Sequence, residues 1–227
     1  MATVTHADST TSTANASTYT SNSFTPALND LLVAFVGART TVAAGTMTSS
    51  VAGQTFSKVT SRVHAGSAHT LYCFVSDLGA TAVAQTLTFN CTGDAATAGA
   101  IHVCRITDLG IYGLAGVRQS SGQDNQAAAG TPAPAFAAAC LTDNVTLGAI
   151  HNASNPAGVT EPTGWTEHAD TGNAENLGLE YVSMASGFTG TTITWGSTSA
   201  TQFSSLIVEI NVSRLARLSV YPQILPH

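Results

Sequence analysis

Apolar and polar residues alternate along many short stretches of the chain, which is the pattern of β-strands that bury one face. In residues 69–75, for example, Leu71, Cys73 and Val75 fall on one face of such a strand. Turn residues separate these stretches from one another. The predicted strands lie near residues 19–24, 31–36, 54–63, 69–75, 86–91, 101–106, 145–150, 177–184, 191–195 and 203–212, with another after a turn at residues 162–167.

Two further features of the pattern indicate the fold class. Residues 31–36 read Leu-Leu-Val-Ala-Phe-Val, and such a continuous apolar run predicts a strand that is buried on both faces. Helix signals are scarce, because Thr, Val and Gly are poor helix formers. Many short strands without helices predict an all-β, antiparallel sandwich or barrel.

The termini differ in composition from the rest of the chain. Residues 1–20 are mostly Thr, Ser, Ala and Asn and predict a flexible or extended N-terminal arm. Residues 21–212 are predicted to form one β-sandwich domain, in which the polar segment 119–134 is a long loop.

Residues 213–227 follow the last predicted strand and form an apolar C-terminal tail. An apolar tail beyond a finished core favours docking on another chain, although docking on its own sandwich is the alternative. The predicted partner-binding residues are Leu215, Leu218, Val220, Tyr221, Ile224 and Leu225.

Charged residues make up only 9% of the chain, and the formal net charge is −6. An average soluble domain has about 25% charged residues. A weakly charged surface does not repel a neighbour, so it favours packing against other copies or a scaffold; compositional drift is the alternative explanation. The sparse, scattered basic residues argue against nucleic-acid binding.

No apolar run approaches the roughly 18 residues of a membrane span. The Ser/Thr-rich N-terminus does not resemble a secretory signal either. We therefore expect no membrane partner and synthesis in a cytoplasm.

Motifs that carry catalysis or bind cofactors are missing from the sequence. Neither a Gly-x-Ser-x-Gly nucleophile turn nor a phosphate-binding glycine loop occurs. Glu180 and Glu209 lie in predicted strands, where we expect them to face solvent rather than converge as a glycosidase pair. The sequence thus predicts a protein that is not an enzyme and has no cofactor.

A metal site is not predicted either. His64 and His69 lie five residues apart across a Gly-Ser turn, and we expect them to face solvent on a hairpin rather than chelate a metal. The cysteines form no C-x-x-C pair, so buried free thiols are expected, with a disulfide left open. They are Cys73, Cys91, Cys104 and Cys140.

Several of these segments together resemble a pattern found in structural proteins of bacteriophages. The strand at residues 31–36, the turn Glu161-Pro-Thr-Gly-Trp-Thr-Glu167, the segment Leu179-Glu-Tyr181 and a closing strand around residues 205–209 occur in similar order over roughly residues 20–212. The resemblance implies a β-sandwich of jelly-roll type in a virion, as a capsid decoration protein, a head fibre or a tail component. It implies no catalytic residues.

The leading hypothesis is therefore a structural virion protein that forms homo-oligomers and contacts a capsid or tail lattice. The alternative is a carbohydrate-binding module that attaches a phage to host glycans. Trp165 and Trp195 would be its sugar-binding residues, because aromatic side chains on loops can stack on sugar faces.

Overall fold

Antiparallel strands account for almost all regular structure in the computed structural model, which describes residues 2–40, 44–64, 68–91, 96–107, 109–125, 130–153, 159–174, 177–196 and 202–212. The alternating sequence explains this, because small β-branched and aromatic residues suit a pleated surface. The strands are β1 (Val4–Ser12), β2 (Thr18–Thr20), β3 (Leu31–Ala38), β4 (Gly45–Ser49), β5 (Phe56–His64), β6 (His69–Ser76), β7 (Leu87–Cys91), β8 (Gly99–Ile106), β9 (Val117–Asn125), β10 (Val145–Asn152), β11 (Thr166–Asn173), β12 (Leu177–Met184) and β13 (Phe203–Ile210).

These strands form two five-stranded sheets and one smaller sheet. Sheet 1 has the order β1-β8-β3-β6-β5, and sheet 2 has the order β11-β12-β10-β13-β9. A three-stranded cover sheet has the order β2-β7-β4. The all-β antiparallel sandwich is thus confirmed.

The continuous apolar run in β3 follows from its central position. Leu31, Val33 and Phe35 point into the core between sheets 1 and 2. Leu32, Ala34 and Val36 point to the other side, where they pack under the cover sheet. Since β3 is buried on both faces, as predicted, neither face carries polar residues.

The outer face of sheet 2 is covered as well, by irregular segments rather than by a sheet. Phe136, Val159, Ile193 and Trp195 pack there against Ile150 and neighbouring residues of sheet 2. The predicted strand at residues 191–195 belongs to this cover and makes a single bridge, between Ala135 and Thr192.

Sheets 1 and 2 have the same topology. In chain order, the five strands of sheet 1 are β1, β3, β5, β6 and β8, and those of sheet 2 are β9 to β13. If the strands of each sheet are numbered by their order in the chain, both sheets have the order first, fifth, second, fourth, third from one edge to the other. The chain therefore contains an internal structural duplication, with one copy on each side of the central core.

The strand registers of the two copies also agree. Ile106 pairs with Val4 and Leu31 in sheet 1, and Ile210 pairs with Val117 and Val145 in sheet 2. Gly37 of β3 then corresponds to His151 of β10. These two residues face Leu71 and Leu179 in their own sheets, at equivalent positions of β6 and β12.

Each of the four edge strands contains a β-bulge. The bulges fall at His6/Asp8 in β1, Lys58/Thr60 in β5, Glu167/Ala169 in β11 and opposite Glu209/Ile210 in β9. Bulges twist an edge away from regular pairing, so they protect it against strand addition by other chains.

Two sequence predictions need correction, and a third is not confirmed. Residues 4–12 are not part of a separate arm but form the edge strand β1, and Ala2 lies in the central core. The predicted loop at 119–134 begins instead with β9, whose polar residues suit an edge. The strand order does not confirm the jelly-roll type, because each main sheet is built from one half of the chain.

Candidate functional site

The predicted contact residues of the tail lie outside the described residues. They are Leu215, Leu218, Val220, Tyr221, Ile224 and Leu225. The described chain ends at Val212, just after β13. There the backbone N–H of Asn211 donates to the carbonyl of Gly116 in a short 3-10 turn.

Several exposed leucines lie at this same end of the sandwich, and three of them, whose neighbours are in contact, define what we call the leucine end. Leu28, Leu78 and Leu114 are 66%, 57% and 53% exposed. Their neighbours bring them together: the Tyr112 hydroxyl donates to the carbonyl of Asn29, and the Tyr112 ring lies against Gly79. Gly113, next to Leu114, lies against Asp77. Leucines that are exposed and grouped in this way form an apolar patch, which makes this end a candidate contact surface.

The two tryptophans proposed for sugar binding have different environments. Trp195 is 2% exposed and packs in the cover of sheet 2, so its ring is not available to a sugar and that prediction is wrong. Trp165 is half-buried and meets Phe188 edge-on, with ring centroids 5.3 Å apart. The described structure therefore offers one tryptophan, not two, for a sugar face.

A cluster of three histidines lies between the two main sheets at the end opposite the leucines. His64 ends β5, His69 begins β6 and His151 lies near the end of β10. One ring nitrogen of each lies within 4.8 Å of those of the other two. All three are buried, which corrects the expectation that His64 and His69 face solvent.

Hydrogen bonds fix the orientation of these rings. His151 Nδ1 lies 2.8 Å from the carbonyl oxygen of Gly178, which only accepts, so Nδ1 carries the proton. His151 Nε2 is then an acceptor, and His69 Nδ1 donates to it over 2.8 Å. His64 Nδ1 shares a hydrogen bond of 2.6 Å with the hydroxyl of Ser204 on β13.

Burial keeps the three imidazoles neutral at physiological pH. It lowers the pKa of His64 to about 3 and that of His151 to about 4. Burial and the neighbouring His151 and His64 rings lower the pKa of His69 to about 2, and the positive charge of Arg39 contributes in the same direction. Neutral imidazole is the form that coordinates metal ions.

Three further histidines surround Tyr181 elsewhere in the interface between the sheets. His6 Nδ1 and the Tyr181 hydroxyl are 2.8 Å apart, and the His168 ring stacks on Tyr181 with centroids 5.1 Å apart. His102 is bonded to Ser9 Oγ and donates from Nε2 to the Leu179 carbonyl. Each of these rings is bonded to hydroxyl or carbonyl groups. Among the described residues, these three rings do not converge as a group that could hold a metal ion.

The two carboxylates considered for glycoside hydrolysis are buried instead of facing solvent. Glu180 faces Ile150 and Glu209 faces Thr146 across β10. Four residues along a strand correspond to about 13 Å, beyond the separation used by glycosidases. The pair therefore does not converge on one bond.

The two carboxylates also titrate differently. Burial raises the pKa of Glu180 to about 8, although the Val159 N–H donates to it. Burial alone would raise the pKa of Glu209, but donors from Leu141, Asn144, Arg118 and Gln119 lower it. Glu209 is thus a buried anion that holds the cover segment 138–144 against sheet 2.

Sequence reasoning missed His151 as a partner of His64 and His69, since it is far from both in the chain. One signal was present: His151 continues the alternation of Val145, Leu147 and Ala149, which predicts that it faces the core. All four cysteines are buried free thiols, as expected.

No known protein family, curated protein or solved structure matches this chain in the comparisons with known proteins. In the described part of the chain, no helix is long and apolar enough to cross a membrane.

Proposed function

We propose that this chain is a structural protein of a bacteriophage particle, which acts through protein–protein contacts as a capsid decoration or head/tail accessory protein. It would be made in the host cytoplasm and carried in the virion as a homo-oligomer. The phage context comes from the sequence resemblance. The observation that carries the mode of action is the leucine end, at which β13 also ends.

The leucine end needs a cover, and the chain itself supplies a suitable one. Residues 213–227 contain five aliphatic residues and Tyr221 in addition to Ala216 and two prolines. Since β13 delivers the chain to the leucine end, we propose that this tail packs on the leucine end of a neighbouring copy.

The remaining surface supports contact through this end rather than through strand addition. All four edges of the main sheets are bulged, so edge-to-edge pairing is disfavoured. The low content of charged residues reduces repulsion between copies. Both features fit a subunit that packs repeatedly in a lattice.

Sedimentation velocity of the purified chain tests this mode of action. The comparison is between the wild type, the double variant Leu28→Ser/Leu78→Ser and the control Val83→Ser, which changes a side chain that is 48% exposed. We expect the wild type and the control to associate and the double variant to dissociate at the same concentration. A wild type that remains a monomer at all concentrations would contradict the proposal.

The carbohydrate-binding module is the alternative, and it now depends on Trp165 alone. A glycan array separates the two functions. If the wild type is a monomer that binds glycans, and a folded Trp165→Ala variant does not bind them, host attachment replaces assembly as the proposed function.

A further inference from the structure

The histidine cluster has the composition and convergence of a transition-metal site. Three imidazoles are contributed by three strands, two from sheet 1 and one from sheet 2. Ring centroids are 4.8 Å apart for His69 and His151, 5.2 Å for His64 and His69, and 5.5 Å for His64 and His151. Three imidazoles are a frequent ligand set for zinc and its neighbours in the first transition row.

We propose that His64, His69 and His151 bind one divalent transition-metal ion, zinc in the first place, and that this ion joins sheet 1 to sheet 2. The nitrogens facing one another are Nδ1 of His69 and Nε2 of His151, 2.8 Å apart. Tetrahedral coordination at about 2.05 Å requires roughly 3.3 Å between two ligand nitrogens. The two rings therefore need to separate by only about 0.5 Å to admit the ion.

The outer partners of the rings suit this role. A metal-ligating histidine usually donates its other N–H to a carbonyl, carboxylate or hydroxyl group, which fixes the ring. His151 does so to the Gly178 carbonyl, and His64 Nδ1 is bonded to Ser204 Oγ. Because Nδ1 is hydrogen-bonded in both His151 and His64, Nε2 is the coordinating atom of each.

Coordination changes the proton position of His69. In the metal-free chain, His69 Nδ1 donates to His151 Nε2. His69 Nδ1 therefore carries a proton, and the lone pair of His151 Nε2 accepts it, so neither nitrogen can coordinate the ion in this state. When the ion enters, the proton of neutral His69 moves from Nδ1 to Nε2. The His69–His151 hydrogen bond is replaced by two metal–nitrogen bonds, and no proton is released overall.

The position of the cluster predicts what the ion does. His64 and His69 face each other at the end of the β5–β6 pair, and His151 faces Ser204 on β13. In the duplicated fold, the corresponding positions of the other copy hold Asn173, Leu177 and Gly37, so the duplication does not repeat the site among the described residues. An ion at this site therefore links the two copies of the duplication.

The experiment starts from full-length chain freed of metal with a chelator. Zinc chloride is titrated by isothermal calorimetry, cobalt chloride is followed by its visible absorption, and thermal unfolding is recorded with and without zinc. We expect one ion per chain and a tetrahedral cobalt spectrum, with the three imidazoles and one water molecule as ligands. We also expect a rise in Tm of roughly 5 to 10 °C at 100-fold excess over Kd.

Variants assign the binding to the cluster. His69→Gln and His151→Gln should abolish binding, whereas His102→Gln, which changes a histidine equally buried between the sheets, should retain it. Ser204→Ala should weaken binding by roughly tenfold or more. The matched control is Ser205→Ala, the adjacent serine on β13, which is also fully buried and should bind as the wild type does.

Binding that survives His69→Gln and His151→Gln would overturn the proposal, and so would the absence of saturable binding. If those variants do not fold, nitrogen NMR of the imidazoles in wild-type protein decides. Zinc should then shift the coordinating nitrogens of His64, His69 and His151 and leave those of His6, His102 and His168 unchanged. Unchanged resonances of the first three would contradict the site.

Discussion

The two copies of the duplication share strand order and register but differ in where they place large, charged and exposed side chains. Phe35 and Cys73 are paired in sheet 1, and Ala149 and Tyr181 occupy the corresponding pair in sheet 2. Large and small residues are thus exchanged between the copies, and the rings of Phe35 and Tyr181 meet at 5.9 Å. Exchange of this kind lets two similar sheets interdigitate without voids.

The charged groups differ in the same way. In the first copy, Asp30 precedes β3 and pairs with Arg105 at 3.7 Å. In the second copy, Asn144 precedes β10 and donates to Glu209 at 2.7 Å. The buried anion is therefore Asp30, just before a strand, in the first copy and Glu209, within a strand, in the second. Different donors bind it at the equivalent corner of the fold. The comparison shows that topology constrains the backbone far more closely than it constrains side-chain chemistry.

The largest effect should come from removing Glu209. Glu209→Ala leaves the donors of Arg118, Gln119, Asn144 and Leu141 without their acceptor, and we expect a loss of about 3–5 kcal/mol in the free energy of unfolding. Asp30→Ala should lose about 1–3 kcal/mol, because Asp30 accepts from Ala27 N–H and its arginine partner is partly exposed. Urea unfolding of both variants measures the difference, and equal losses would contradict it.

The next largest loss of stability is expected where the two copies exchange large and small core residues. Phe35→Ala removes a fully buried ring and should cost about 3–4 kcal/mol. Adding Ala149→Phe in the same chain places a ring at the duplicated position and should recover part of this loss. If the double variant is less stable than Phe35→Ala alone in urea unfolding, the two positions are not interchangeable.

Acid should destabilise the first copy through His102, whose counterpart on β13 is Leu206. Burial lowers the pKa of His102 to about 4 from 6.5, although the Leu179 carbonyl and Asp8 raise it and His6 lowers it further. The unfolded chain therefore binds the proton first, so stability is full above pH 6.5 and falls as the pH drops toward 4.

Protonation of His102 in the unfolded chain therefore lowers the free energy of unfolding at pH 5 by about 2 kcal/mol relative to neutral pH. His102→Gln keeps a polar side chain but does not titrate, so its stability should fall less between pH 7 and pH 5 than that of the wild type. Parallel stability curves for the two proteins from urea unfolding would show that His102 does not contribute.

The smallest effect on stability is expected at the leucine end. Leu28 lies three residues before β3, and Thr142 lies three residues before β10. Leu28→Thr therefore places threonine, the residue at the equivalent position 142 of the second copy, in the first copy. It should change the free energy of unfolding by less than about 0.5 kcal/mol. Association should weaken nevertheless, and a variant that associates like the wild type would show that Leu28 is not a contact residue.

The fold class was accessible from local patterns, since alternation and the apolar run in β3 report burial directly. The arm at residues 1–20 was mispredicted because β1 is a polar edge strand, with its side chains only half-buried. The same reason applies to β9. Polar edge strands and loops have nearly the same composition, and only pairing with β8 or β13 distinguishes them.

The candidate metal site could not be predicted from spacing. His64 and His69 are close in the chain, but their third partner is 82 residues away from His69 and reaches them through the packing of two sheets. The duplication was hidden for a related reason. Equivalent positions hold different residues, such as Gly37 and His151, so the similarity lies in register rather than in sequence.

Light scattering of the full chain and of a chain ending at residue 212 tests the central claim most directly, that this protein acts by assembly through its leucine end and tail. The account predicts that the full chain has a mass that is a multiple of 23.1 kDa and that the shortened chain is a folded monomer. A full chain that is monomeric, or a shortened chain that keeps the same oligomeric mass, would contradict it.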